Sequence, residues 1–117
     1  MMTWLAFVQG IYFLITGVWP LVSIDTFQRV TGPKTDLWLV NTVGILIGVI
    51  GFGLIAWALT NHVTLDVVVF AIGSAAGLGT IDVFYSLRGV IAKIYLADAV
   101  IEAVIVLAWI VAFLLAR

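Results

Sequence analysis

Three acids lie inside segments otherwise suited to lipid: Asp82, Asp98 and Glu102. Asp98 and Glu102 stand four apart in the run Tyr95-Leu96-Ala97-Asp98-Ala99-Val100-Ile101-Glu102, so on a helix they share a face, with Tyr95 on the same stripe. Asp82 belongs to the preceding apolar segment and is followed three residues later by Tyr85. Carboxyl groups within a membrane span are costly and as a rule face protein, water or a substrate path. Without a buried base beside them the three cannot all carry charge cheaply, so one or more holds a proton or a cation sits among them. The spacing therefore predicts a polar pocket between the last two helices.

Four apolar blocks, separated by three short polar breaks, must position these groups. Each is roughly 20 residues or longer, enough to cross a hydrocarbon core about 30 Å thick. Helices are the natural solution, because lone strands would leave backbone groups unpaired in lipid. The reading is a single all-α membrane domain over 1–117, an antiparallel bundle of four helices with spans near 3–22, 37–60, 64–87 and 90–116.

The composition agrees. Of 117 residues, 65% are hydrophobic and 9% charged, too few polar groups to coat a water-soluble domain of this size. A net charge of −1 with five Lys and Arg gives no footprint for nucleic acid. The absence of Cys excludes disulfides, thiolate metal sites and thiol catalysis, and His62, the one histidine, cannot build a multi-histidine metal or haem site. No cofactor is called for. The first segment lacks a basic leader and Gly17-Val18-Trp19-Pro20 is not a small-x-small cleavage site, so it is expected to be a retained span.

In the first span Gln9 and Thr16 share a face with Gly10 and Gly17 beside them, which reads as helix packing; Trp19-Pro20 marks an anchor and a helix end or kink. The first loop reads as a solvated connector in which Ile24, Phe27 and Val30 could form the apolar side of a short interfacial helix, with a docking surface or lid as the alternative. Asn41, Gly44, Gly48 and Gly51 form one stripe of the second span, and Gly73 and Gly77 repeat the close-packing pattern in the third.

Arg29 and Lys34 in the first loop, with Arg88 and Lys93 around the third, place these loops in the cytoplasm and both termini outside. On that scheme Asp82 lies roughly 8 Å below the cytoplasmic end, Asp98 at a similar depth and Glu102 one turn deeper. Asn41 and Thr16 reach comparable levels, and Lys93 points away from Asp98. The candidate ligand- or ion-binding set is Asp82, Asp98, Glu102, Tyr85, Tyr95 and Asn41, in a vestibule open to the cytoplasm and sealed outside. No catalytic residue and no metal ligand is assigned.

The stretch Thr31-Gly-Pro-Lys-Thr-Asp-Leu-Trp-Leu-Val-Asn-Thr-Val-Gly44 resembles uncharacterised small bacterial membrane proteins with four predicted helices, which implies a bacterial inner membrane and no particular activity. Small multidrug-resistance proteins are similar in length and span number, but their key carboxylate lies in the first span, where this chain has none. Small fluoride channels share the span count without a matching motif. The layout is loosely similar to the sterol isomerase and sigma-2 receptor family, whose bundles hold a ligand over buried acids. The leading expectation is binding or transport of a proton, cation or small solute. The alternatives are an accessory subunit of a larger membrane complex, its acids paired with a partner's base, and an intramembrane acid–base enzyme on a lipid-like substrate. The lipid bilayer and a homo-oligomer or larger complex are the expected partners.

Overall fold

The computed structural model describes residues 1–116. They form α1 (Met2–Val22), α2 (Ile24–Thr31), α3 (Leu37–Leu59), α4 (Leu65–Leu87) and α5 (Tyr95–Leu115), and no strand occurs among the described residues. All but α2 are long and apolar enough to cross a membrane. At about 1.5 Å per residue they cover about 32–35 Å, a match to the hydrocarbon core. Large apolar side chains such as Phe52, Val69 and Leu107 face outward, as the bilayer requires. The protein is an all-α four-helix membrane bundle.

Two antiparallel pairs make up the bundle, α1 with α3 and α4 with α5; α1 also packs on α5, while α3 and α4 touch only lightly. The α1–α3 seam is backbone against backbone. A Cβ built on Gly17 would stand 2.5 Å from the Gly44 carbonyl oxygen, and one on Gly51 would stand 2.5 Å from the Gly10 carbonyl oxygen. The seven-residue spacing in both helices (Gly10 and Gly17, Gly44 and Gly51) returns the contact to one face. Gly48 is also buried on this seam, yet its own Cβ would meet only Val18 at 4.0 Å. Gly73 and Gly77 behave differently: both are exposed, with nothing within 4 Å of a Cβ, and they pack on no other helix of this chain.

Gln9 joins the two pairs. Its amide donates to the Ala71 carbonyl on α4 at 3.0 Å and its Oε1 accepts from the Trp109 indole on α5 at 2.7 Å. Gln9 and Trp109 are both fully buried. Around them Ala6, Leu54, Ala58, Val67 and Val68 fill the half of the bundle away from the basic loops. A hydrogen-bonded amide in that setting holds three helices in register, because leaving either partner unpaired would be costly.

The first connector folds as a helix. Ser23 caps α2 by accepting from the Thr26 amide, and the Trp19 indole donates to the Thr26 hydroxyl at 3.0 Å. Phe27 meets the Trp19 ring edge-to-face, which lays α2 against the end of α1. The third connector departs from expectation more. The fourth span begins at Tyr95 rather than near 90. Gly89 at φ 75° lets its amide reach the Ser86 carbonyl and the Val90 amide reach the Tyr85 carbonyl, a glycine-terminated helix end. Lys93 then donates to the Ser86 carbonyl at 2.8 Å, holding the segment folded back across the end of α4.

Candidate functional site

Asp98 stands in the first turn of α5, shallower than a helix starting near 90 would put it. Helix-start amides and the helix dipole favour an acidic side chain there. Asp82 comes from α4, about five residues before its end, and is buried. The Tyr12 hydroxyl, from the middle of α1, donates to Asp98 Oδ1. Asp82 Oδ2 is buried without a partner.

These three side chains line a cavity of about 530 Å³ at the basic end of the bundle. All four spans contribute to its walls, which are chiefly apolar, and α2 lies over it with Phe27, Val30 and Thr31. Lys34 stands at its rim. The ammonium donates to the Thr31 and Gly32 carbonyls, both at 3.0 Å, and lies 5.3 Å from the centre of the Tyr95 ring, within cation–π range. The cavity thus carries two acids at its polar side and one ammonium, already occupied by backbone acceptors, at its rim.

The expected pocket residues divide. Asp82, Asp98 and Tyr95 line the cavity together. Glu102 is fully buried one turn along α5 but lines a different groove, on the outer side of the α4–α5 pair. Tyr85 is exposed and stacks its ring edge-to-face on Phe84, so it flanks neither acid of the cavity. Asn41 lies on the glycine seam of α3, with its carbonyl oxygen buried and unpartnered, outside the cavity lining. Thr16 reaches the wall, but its hydroxyl donates back to the Tyr12 and Phe13 carbonyls of its own helix. Trp109, an aromatic that could have packed on an organic cation, is spent on Gln9 in the core.

Tyr12 and Lys34 are the site residues that reading by segment misses. The signal for Tyr12 was present, since Gln9, Tyr12 and Thr16 form one polar stripe at helical spacing. Among the described residues no three His, Asp or Glu side chains converge as a metal-ligand set. Chemically, the arrangement can accept hydrogen bonds from, or neutralise, one cationic or protic head group whose apolar remainder rests against the walls. Comparison with known proteins adds no further guide: no family model, no curated protein and no solved structure matches the chain.

Proposed function

We propose that this membrane protein binds a small amphipathic solute, with a cationic or hydrogen-bond-donating head, on the Asp82–Asp98 pair. One observation carries the reading: a cavity of about 530 Å³ whose chiefly apolar lining includes the carboxyls of Asp82 and Asp98. That volume lies within the range of small-molecule sites, and so does the pattern of many apolar contacts with a few placed polar groups. Two acids in one apolar-walled cavity, with the Lys34 ammonium turned to backbone acceptors, favour an occupant that brings a positive charge or a hydrogen-bond donor. A lipophilic amine satisfies both the walls and the charge. The basic loops favour a cytoplasmic mouth with both termini outside, and the resemblance carried by the stretch from Thr31 to Gly44 favours a bacterial inner membrane.

The test is thermal unfolding of the purified protein, wild type and Asp98→Asn, against a panel of lipophilic amines and inorganic cations. A ligand that binds only the folded state stabilises it by about 2.7 kcal/mol at a hundredfold excess over Kd. The expected result is an amine that raises the melting temperature of the wild type and not of Asp98→Asn. If no probe acts and Asp98→Asn is as stable as the wild type or more so, the acid awaits a protein partner and the solute-binding reading fails.

A further inference from the structure

An open groove of about 850 Å³ runs between α4 and α5, lined by residues of that pair alone. Small side chains shape it, Ala76 and Gly79 from α4 with Ala99 and Ala103 from α5. From Ala75 to Arg88 it follows α4 for about 20 Å at helical rise, somewhat more than the depth of one leaflet. Its two ends differ. The deep end is apolar, with Ala75, Val106 and Leu107. At the other end stands Arg88, the residue that follows α4, exposed at the level where the span meets the headgroups. Its guanidinium lies 4.4 Å from the centre of the Phe84 ring, itself part of the groove wall. This cation–π contact keeps the charge at the mouth of the groove. The polar groups farther in are closed off. Both carboxyl oxygens of Glu102 are buried, and the Thr80 hydroxyl donates to the Ala76 carbonyl at 2.7 Å. Lys93, the next cation along the chain, is held by the Ser86 carbonyl at 2.8 Å.

We propose that this groove holds an acyl chain of one anionic phospholipid, with the lipid phosphate on Arg88. Charge and length select the occupant together. The groove presents one cation at the headgroup level and, below it, an apolar channel about as long as a leaflet is deep. A head-and-tail amphiphile standing along the membrane normal meets both, and the bilayer itself supplies it. Arginine suits the head, because its planar fork donates two parallel hydrogen bonds to a phosphate. The ring of Phe84 covers one face of the guanidinium and leaves its N–H edges for the ligand. A net anionic lipid is favoured over a zwitterionic one, whose own ammonium offsets the charge that Arg88 attracts. Small residues at Ala76, Gly79 and Ala103 leave room for a chain that a larger side chain would fill.

The test is intact-complex mass spectrometry of delipidated protein in detergent, offered phosphatidylglycerol and phosphatidylcholine of the same acyl chains in equal amounts. The wild type should retain one phosphatidylglycerol in preference to phosphatidylcholine by about fivefold. Arg88→Gln should bring the two lipids close to parity, while Arg29→Gln, a cation outside the groove, keeps the preference. Ala103→Phe and Ala76→Phe block the groove from opposite walls and should lower retention of both lipids severalfold. Both alanines are exposed, so the larger ring fits the folded chain, and circular dichroism with a melting curve verifies this. Phosphatidylglycerol should also raise the melting temperature of the wild type, and glycerol phosphate, which lacks the chains, should not. Four outcomes would overturn the proposal: no preference in the wild type, a preference that survives Arg88→Gln, retention undiminished in both phenylalanine variants, or equal stabilisation by glycerol phosphate. A wild-type dimer that excludes lipid and is lost in Ala103→Phe would overturn it too, by giving the groove to a second chain. Amine-induced stabilisation of Arg88→Gln reads the cavity separately, so the two inferences stand or fall independently.

Discussion

Tyr12 and Asp98, 86 residues apart, share a hydrogen bond in which the phenol donates to Asp98 Oδ1. It is the polar link between the α1–α3 pair and the α4–α5 pair at the cavity, as Gln9 is in the core. Asp98 lines the cavity together with Asp82, and Tyr12 supplies it with a hydrogen-bond donor from another span.

Removing that hydroxyl tests whether the link is energetic. Tyr12→Phe keeps the ring and deletes the donor, leaving a half-buried acid without its partner. We expect a loss of about 1–3 kcal/mol in unfolding free energy. Asp98→Leu removes the other member, and in the double variant the two losses should fall short of additive by about 1 kcal/mol or more. Strict additivity in such a cycle would mean that the contact contributes no coupling.

Gln9→Leu should be as damaging, for a different reason. The leucine fills most of the same space but leaves the Trp109 indole N–H without an acceptor in a fully buried position. The expected cost is about 1–3 kcal/mol, accompanied by a change in tryptophan emission as the indole loses its hydrogen bond. Trp109→Phe in the Gln9→Leu background should recover part of the loss, since it removes the orphaned donor. No recovery would show that packing, and not the hydrogen bond, dominates at this junction.

The four spans are legible in the sequence because hydropathy and length decide them, and lipid permits few other structures. The stripe from Asn41 to Gly51 could be read for the same reason, being local periodicity on one helix. Where α5 begins could not be read that way. The residues after Gly89 are apolar enough to join the span, and only the folded-back connector held by Lys93 excludes them. Nor does local spacing decide which glycine face turns inward, since Gly44 and Gly73 differ only in the partner that tertiary packing supplies. Glu102 illustrates the same limit. Four residues from Asp98 puts it on the same broad face, yet the α4–α5 contact runs between them, sending one acid to the cavity and the other to the groove.

The glycines of the inner seam should separate sharply on substitution. Gly44→Ala and Gly51→Ala each place a methyl group 2.5 Å from a backbone oxygen of α1, which neither helix can yield without separating. A loss of about 1–3 kcal/mol is expected for each. Gly48→Ala meets only the end of the Val18 side chain at 4.0 Å and should be near neutral, or slightly stabilising through helix propensity. Melting curves of the three variants in one detergent decide the matter. Equal losses at all three positions would contradict the seam as described.

Access to Asp98 should come from one side only. It lies in the first turn of α5, beside the connectors that carry Arg29, Lys34, Arg88 and Lys93, and the opposite half of the bundle is filled by Leu54, Val67 and Trp109. In vesicles of known orientation, Asp98→Cys should react with a membrane-impermeant maleimide added on the side of those basic connectors, and not with reagent on the other side. A lipophilic amine that stabilises the wild type through Asp98 should also slow the labelling of Ile94→Cys, a cavity-lining position that leaves the acid pair intact. Reaction of Asp98→Cys from the opposite side alone would mean that the core does not seal the bundle, and the single-mouthed cavity would have to be abandoned. Labelling from the basic side without protection by any amine would keep the geometry and remove the ligand.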